Sequence, residues 1–305
     1  MMGREDDHPL AGERAPDDGL TGKPVPVRPP TVSLTGLPLA LQFLTVLPVA
    51  TPSRSSTESA LPPRMDAALP WFPLVGALIG IVLAAIDWVL RPALSLGVRS
   101  AIVLVVAAGV TGMLHLDGFI DCCDGLLGAR STERRLAILR DSRAGAYGVV
   151  GGCLLLLLRF AALTALARPD MRVLALIAAP LLGRWSMVYA IVRYPYARPT
   201  GVGAPFRASV RHLAWASVLA GLLLAGSCAV VGWPALPQTL VWAVLAAGSA
   251  LLTSIGATVW MSRRLDGGLT GDTYGALNEC VEVVILVLFP LIFATGAHPP
   301  FGAFV

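Results

Sequence analysis

The chain has 305 residues, of which 55% are hydrophobic and only 14% charged, and its net charge is +4. Soluble domains carry about a quarter charged residues, so this composition, with a mean hydropathy of +0.72, argues against a soluble globular protein. The small net charge gives no indication of nucleic-acid binding. Apolar runs recur along the chain, and each is close in length to the roughly 20 residues that a membrane-spanning helix needs. We therefore predict an all-α, polytopic membrane helix bundle, because backbone groups in lipid must pair within their own segment.

Two N-terminal regions precede the first long apolar run. Residues 1–30 are polar and rich in proline and glycine, a composition that cannot bury a core and predicts a disordered tail. The remainder, 31–305, reads as a single membrane-embedded domain. Its first stretch, 34–50, is apolar but short and contains two prolines. We expect a half-buried or re-entrant element there, at the membrane surface.

Seven spans follow in chain order, separated by alternating long and short connections. They cover approximately residues 71–90, 98–115, 147–167, 173–193, 213–232, 239–260 and 280–296. The long connections are 116–146, 194–212 and 261–279. Two helical hairpins separate these connections, and each hairpin crosses the membrane twice and returns. The three long connections are therefore predicted to share one face of the membrane.

Arginine counts indicate which face this is. The face with the long connections carries twelve arginines: Arg54, Arg64, Arg130, Arg134, Arg135, Arg140, Arg143, Arg198, Arg207, Arg211, Arg263 and Arg264. The opposite face carries four: Arg91, Arg99, Arg168 and Arg172. Because basic residues accumulate in cytoplasmic loops, we predict an inner-membrane protein whose long connections face the cytoplasm.

The first long connection begins with a run of acidic residues. Asp117, Asp121 and Asp124 are spaced i, i+4 and i+7, which places three carboxylates on one face of a helix. Like charges on one stripe repel, and a bound Mg²⁺ would turn that repulsion into ligation, since hard cations take carboxylate oxygens. A solvated loop with helix-capping aspartates is the structural alternative. His115 does not lie on this face of the helix, and it is either a group that supports the site or an ordinary interfacial histidine.

The third long connection carries a second set of candidates. Gly268, Thr270 and Gly271 form a glycine-rich turn before a helix start, an arrangement that can bind an anion through free N–H groups. Asp272 and Glu279 are seven residues apart and share a helix face.

Several arginines were also singled out. Arg198, with Arg207 and Arg211 in the second connection, could clamp a phosphate, although anchoring by the positive-inside rule is the better explanation for each arginine taken singly. Arg159 and Arg184 lie inside predicted spans and need partners or must reach the interface.

Several stretches of this sequence resemble the cobalamin synthase family (adenosylcobinamide-GDP ribazoletransferase). They are HLDGFIDCCDGLLGAR at 115–130, DSRAGAYG at 141–148 and GGLTGDTYGALNE at 267–279, with further matches at 41–49, 71–80 and 183–203. The resemblance covers about residues 36–290. One departure is Val46, where family members commonly carry arginine.

The resemblance implies a reaction, a cofactor and partners. A hydroxyl of α-ribazole, or of its 5′-phosphate, attacks the cobinamide-side phosphate of adenosylcobinamide-GDP; GMP leaves and adenosylcobalamin or its 5′-phosphate forms, with Mg²⁺ as cofactor. Asp117, Asp121 and Asp124 are then expected to bind Mg²⁺, with Asp141 as a further ligand or the base and Asp124 also counted as catalytic. Gly268, Thr270, Gly271, Asp272, Glu279 and Arg198 are expected to bind substrate. A homo-oligomer or a complex with other late cobalamin-pathway enzymes is also considered.

Two other functions remain open on the sequence alone. The order of aspartates is similar to that of CDP-alcohol phosphotransferases, which synthesise phospholipids, but the spacing differs and the GG-x-TGD segment argues against it. A cation transporter could also use membrane acids, although transporter acids usually lie within the span.

Overall fold

The structure is a computed structural model that describes residues 33–49, 65–141, 143–198, 206, 208–231 and 236–294. The predicted N-terminal tail lies outside these residues, as do Arg54, Arg64 and Arg207. Within the described residues there are ten α-helices and no strand longer than an isolated bridge. The all-α prediction is therefore confirmed, whereas the extent of the single domain, 31–305, stays a prediction.

The helices follow the predicted order. They are α1 Gly36–Leu44, α2 Phe72–Leu90, α3 Leu96–Val110, α4 Leu114–Cys122, α5 Thr132–Ile138, α6 Ala146–Ala165, α7 Pro169–Arg193, α8 Val210–Val231, α9 Leu236–Arg264 and α10 Gly271–Ala294. A 3₁₀ helix, Met65–Trp71, leads into α2, and a π-helical turn, Cys123–Leu127, continues α4. The last span begins nine residues earlier than predicted, because Thr270 and Thr273 cap the start of α10 through reciprocal hydrogen bonds to each other's backbone N–H groups.

Six helical segments are long and apolar enough to cross a membrane, and α3 with α4 forms a seventh candidate bent by 93°. The chain is thus a multi-pass membrane protein. The bend is at Gly112 and Met113, which both have a φ near +60°. The acidic stripe of α4 therefore runs almost at right angles to the apolar helix α3 that precedes it.

The centre of the bundle is α7, which packs closely against α2 and α10. A Cβ added at Gly76 would lie 2.2 Å from the carbonyl oxygen of Pro180, and one at Gly80 would lie 2.5 Å from the backbone of Ile177. Small residues of this kind let membrane helices approach closely. The outer helices α6, α8 and α9 leave large apolar side chains exposed, among them Leu157, Leu222 and Leu252. This surface suits contact with lipid acyl chains.

The predicted N-terminal element is α1, a nine-residue helix too short to span a bilayer. It packs against the 3₁₀ helix, where a Cβ on Gly36 would lie 1.9 Å from the carbonyl oxygen of Ala67. Beyond α1, the Val46 N–H donates to the carbonyl of Val110 at 2.9 Å. The residue that departs from the family pattern therefore lies beside the bend between α3 and α4.

An ion-pair triad lies at the end of the bundle away from α4. The Asp87 carboxylate pairs with Arg99 at 2.6 Å and Arg172 at 2.8 Å, and all three side chains are buried. From sequence, Arg99 and Arg172 are among the four arginines predicted on the opposite face. Because the triad buries both, that face has still fewer solvent-exposed arginines.

Candidate active site

Three of the predicted acidic residues meet where α4 packs on the first turn of α10. Gly118 allows this contact, since a Cβ at that position would lie 2.7 Å from the carbonyl oxygen of Asp272. Asp117 and Asp121 stand one turn apart on α4, and Asp121 interacts electrostatically with both Asp117 and Asp272. We call Asp117, Asp121 and Asp272 the carboxylate cluster. Its members come from two predicted motifs 150 residues apart.

The carboxylate cluster carries more negative charge than its surroundings balance. Within the described part of the chain, the Asp117 and Asp121 carboxylates have no hydrogen-bond or salt-bridge partner. Asp272 pairs with Arg198 at 3.1 Å. Arg198 is also the cation that acts on Asp121. Three carboxylates therefore face one nearby guanidinium, an arrangement that favours a cation or a ligand bearing one.

Asp124 departs from the predicted stripe. It lies in the π-helical turn, is buried, and accepts hydrogen bonds from the backbone N–H groups of Gly145 at 2.7 Å and Gly148 at 2.8 Å. These groups belong to the N-terminal turn of α6, whose partial positive charge favours a carboxylate. Asp124 remains within electrostatic reach of Asp121. It nevertheless holds α6 against α4, a role that the i+7 spacing did not reveal.

The segment after α7 is tied to the start of α10. Tyr196 and Leu269 form a parallel bridge, with the Ala197 N–H donating to the Leu269 carbonyl at 2.7 Å. The next residue, Arg198, reaches Asp272 and donates to the carbonyl of Leu139 at 3.2 Å. All three long connections thus converge at the carboxylate cluster. Arg198 therefore lies at the carboxylate cluster, and its predicted contact with a substrate phosphate stays a prediction.

The glycine-rich turn is stabilised by the protein's own acceptors. The N–H groups of Gly267, Gly268, Leu269 and Thr270 donate to Ser262, Leu265, Pro195 and Thr273, respectively. A Cβ on Gly268 would lie 2.8 Å from Ala197, so glycine permits the close approach of the two segments. These four N–H groups are therefore occupied in this conformation, and the Gly271 N–H is not among them. Anion binding by Gly268, Thr270 and Gly271 stays a prediction.

Asp141 is paired with an arginine of its own connection. Its carboxylate accepts from the Arg143 guanidinium at 2.7 and 2.9 Å and from the Arg143 backbone N–H at 3.1 Å. The Arg143 pair lowers the pKa of Asp141 to about 2. A carboxylate with so low a pKa is a weak base at neutral pH. In this conformation Asp141 suits electrostatic steering better than proton abstraction, and its predicted role remains untested.

Glu279 lies away from the carboxylate cluster, roughly 10 Å beyond Asp272 along α10. It is buried and pairs with Arg159 at 2.5 Å, while Glu282 pairs with both Arg159 and Arg184. Asn278 donates to Glu282 at 3.0 Å. We call Arg159, Arg184, Glu279 and Glu282 the buried ion network. A cavity of about 30 Å³ adjoins it, enough for one water molecule.

His115 links this network to α4. Its ring is buried, with Nδ1 3.4 Å from the Arg184 guanidinium. Of the two roles considered from sequence, the structure favours the supporting one over the interfacial one. The signal that could have found the network was the presence of two arginines and two glutamates within apolar spans, because charges at that depth require partners.

The residues of the carboxylate cluster fit a hard divalent cation by their chemistry, since all three are carboxylates and two lack a partner in the described part of the chain. In residues 33–49, 65–141, 143–198, 206, 208–231 and 236–294, however, no three acidic, histidine or cysteine side chains are arranged as a ready-made metal site. Mg²⁺ is usually held by one or two carboxylates together with substrate phosphates rather than by a protein cage. The arrangement is compatible with that mode.

Comparison with known proteins gives a consistent result. Residues 36–290 match the family described as cobalamin-5-phosphate synthase. The chain is 44% identical over 261 residues to the adenosylcobinamide-GDP ribazoletransferase of Roseiflexus sp. (strain RS-1), covering 83% of this chain and 88% of the relative. It is 37% identical over 267 residues to the protein of the same name from Desulforamulus reducens, covering 84% and 96%. No solved structure matches the chain.

Proposed function

The chain belongs to the cobalamin-5-phosphate synthase family, and from that membership we propose that it transfers the adenosylcobinamide-phosphate group of adenosylcobinamide-GDP to ribazole or its 5′-phosphate. It is a membrane-embedded transferase of the final step of cobalamin synthesis. The identity of the acceptor and the requirement for Mg²⁺ are parts of the proposal. The observation that carries it is the convergence of the three long connections on the carboxylate cluster.

The bond changes of the proposed reaction are simple. The acceptor hydroxyl oxygen forms a bond to the cobinamide-side phosphorus, the bond from that phosphorus to the bridging anhydride oxygen breaks, and GMP leaves with the bridging oxygen. The hydroxyl proton passes to a carboxylate or to water. Such phosphoryl transfers depend chiefly on positioning and on neutralising phosphate charge.

Each part of the site has a task in this chemistry. When bound, Mg²⁺ would supply positive charge to the phosphate oxygens and the leaving GMP, and Asp117 and Asp121 would hold it, with Asp272 nearby. Arg198 is placed to contact a phosphate beside Asp272. Asp124 fixes α6 against α4.

Phospholipid synthesis and cation transport, the two alternatives from the sequence, receive less support. The relatives reported above carry the ribazoletransferase name, and the acids of the cluster lie at the ends of helices rather than mid-span. We also propose that the cluster faces the cytoplasm, because the arginines of 130–143 and 263–264 lie on its side of the bundle. Oligomerisation and a complex with other late enzymes stay predictions.

The deciding experiment compares Asp121→Asn with Asp170→Asn in purified protein. Asp170 pairs with Arg168 before α7 and is a matched aspartate at the other end of the bundle. We expect Asp121→Asn to lower turnover of adenosylcobinamide-GDP with ribazole on the order of a hundredfold or more, while Asp170→Asn stays close to wild type. Turnover is measured as GMP release over a Mg²⁺ titration.

Two outcomes would contradict the proposal. Normal turnover by Asp121→Asn at limiting Mg²⁺ would remove the carboxylate cluster from the mechanism. Turnover of CDP-diacylglycerol in place of adenosylcobinamide-GDP, or ion flux in liposomes that Asp121→Ala leaves intact, would favour one of the alternative functions.

A further inference from the structure

A second cavity, of about 350 Å³, is lined by residues close in sequence to Arg198 and Asp272 and is not accounted for by any predicted site residue. Its walls include three tyrosines and a phenylalanine, Tyr194, Tyr196, Tyr274 and Phe206, with Arg193 as a further lining residue. We call it the tyrosine pocket. Pockets that enclose small ligands span roughly 300–1,000 Å³, so its volume suits a single ring system rather than a whole corrinoid.

The tyrosine pocket and the carboxylate cluster are built on the same two chain segments. Tyr274 is two residues beyond Asp272 on α10, so the two side chains leave the helix on different faces, and Tyr196 is two residues before Arg198, the arginine that pairs with Asp272. The bridge between Tyr196 and Leu269 holds these two segments side by side. The pocket and the cluster therefore lie close along the chain, on different faces of α10.

The aromatic walls are held firmly. Phe206 packs edge-on against Phe43 at 5.4 Å and against Phe72 at 6.2 Å. The rings of Tyr196 and Tyr274 lie 6.4 Å apart, and Tyr274 is only 4% exposed. Rigid aromatic faces that line an open space favour a planar ligand that stacks on them, because stacking requires little loss of side-chain freedom.

The pocket also carries groups that a purely apolar ligand would not need. The tyrosine hydroxyls can donate and accept hydrogen bonds. Arg193 is exposed, and in the described part of the chain its guanidinium has no hydrogen-bond or salt-bridge partner. A planar ring with polar edges, attached to a sugar or phosphate, matches this combination of aromatic faces, hydroxyls and one free cation.

We propose that the tyrosine pocket binds the planar aromatic base of a nucleoside-bearing substrate. This inference rests on the proposed function, in which two substrates carry such a base: guanine in adenosylcobinamide-GDP and benzimidazole in ribazole. Both are flat heteroaromatic rings joined to ribose, so the pocket's chemistry accepts either. The ribose and phosphate of that substrate would then have to extend around the start of α10 to reach Asp272 and Arg198.

The test uses Tyr196→Ala, with Tyr196→Phe as the variant that keeps the ring face and Tyr189→Ala as a matched half-buried tyrosine outside the pocket. KM for adenosylcobinamide-GDP and KM for ribazole are measured separately, each at a saturating level of the other substrate. Loss of one base-stacking ring weakens binding by about five- to a hundredfold. We expect Tyr196→Ala to raise KM about tenfold for one substrate alone, with kcat little changed. Tyr196→Phe, which keeps the ring and loses the hydroxyl, should raise the same KM by less, and Tyr189→Ala should resemble wild type.

The substrate affected identifies the base: a rise for adenosylcobinamide-GDP indicates guanine, and a rise for ribazole indicates benzimidazole. Unchanged KM values, equal rises for both substrates, or a fall in kcat alone would overturn the pocket assignment. Tyr194→Ala is measured in parallel, so that a Tyr196→Ala protein that fails to fold still leaves a decisive variant.

Binding without turnover separates the two proposals. Equilibrium dialysis of GMP and of ribazole with wild-type and Tyr196→Ala protein reports the pocket even where no reaction occurs. If wild-type protein never converts adenosylcobinamide-GDP, the proposed function fails irrespective of the pocket. If it turns over normally and neither tyrosine variant alters the binding of either compound, the pocket assignment fails alone.

Discussion

Two groups of acidic side chains lie within roughly 10 Å of each other along α10. They differ in how far arginines neutralise their charge. In the buried ion network, Glu279 and Glu282 are matched by Arg159 and Arg184. In the carboxylate cluster, three aspartates face the single Arg198. Helix α10 thus carries charges that are balanced by arginines in its interior, whereas its first turn faces an excess of negative charge contributed by Asp117 and Asp121 of α4.

The difference follows from what each location can tolerate. A charge inside the bundle is expensive unless it is paired and hydrogen-bonded. At the helix start the aspartates are partly exposed, so water and ions can solvate them. Charge that is balanced contributes to holding helices together, and charge that is left in excess is available to a ligand. Stability and activity should therefore respond differently to mutations in the two groups.

The largest effect on stability is expected from Arg159→Leu. This change leaves Glu279 without its 2.5 Å partner and gives Glu282 only Arg184. Breaking a buried pair costs about 3–5 kcal/mol, measured as the free energy of unfolding in detergent micelles. The double variant Arg159→Leu with Glu279→Gln leaves one balanced Arg184–Glu282 pair. It should recover much of the loss, and equal destabilisation of single and double variants would contradict charge balance as the cause.

A smaller loss is expected from Gly148→Ala, which tests whether Asp124 belongs with the balanced acids. The added Cβ would lie 2.3 Å from Asp124 Oδ2. The resulting overpacking should cost about 1–3 kcal/mol, measured by the same unfolding assay. Gly221→Ala in α8 is the control, since nothing lies within 4 Å of its Cβ. It should be neutral or stabilising by up to about 1 kcal/mol. An equal loss of stability in both variants would show that the loss does not come from crowding of the Asp124 carboxylate.

Asp121→Asn, unlike the two preceding changes, is expected not to lower the free energy of unfolding. Because its neighbours Asp117, Asp124 and Asp272 repel its charge, removing that charge should leave the free energy of unfolding within about 1 kcal/mol of wild type, on the more stable side. Unfolding is measured without added divalent cation. Glu282→Gln, in the network, should be destabilised in the same assay. Marked destabilisation of Asp121→Asn would mean that the carboxylate cluster stabilises the fold, as the buried ion network does.

The smallest effect is expected at Asp141. Its pKa is lowered to about 2 by Arg143, so it is ionised throughout the neutral range, and any stabilisation from this pair is present above the unfolded pKa of about 3.9 and lost only as pH falls towards 2. Asp141→Asn should therefore leave the shape of the kcat/KM profile between about pH 5 and 9 unchanged. Loss of the acidic limb in this variant would instead identify Asp141 as the base.

The parts of this structure that depend on local sequence were predictable. Hydropathy identified the spans, and the i, i+4 spacing placed Asp117 and Asp121 on one face of α4. The convergence of the long connections also followed from hairpin topology. In each case the relevant information lies within one helix or in the order of helices along the chain.

What was missed depends on distant partners or on single backbone angles. Arg172 and Asp87 are 85 positions apart, and Arg159 and Glu279 are 120 apart. No spacing rule connects residues at such distances. The bend at Gly112 and Met113 depends on two left-handed residues, only one of which is glycine. The π-helical turn that directs Asp124 towards α6 has no sequence signature either.

The pairing of Arg159 and Arg184 with α10 also has a consequence for how the protein is made. The arginines are synthesised 98 to 123 residues before the glutamates that pair with them. During synthesis α6 and α7 therefore enter the bilayer carrying charges whose counterparts do not yet exist. The last described helix completes the neutralisation of helices inserted earlier, so its arrival marks the point at which the bundle's interior becomes compatible with lipid.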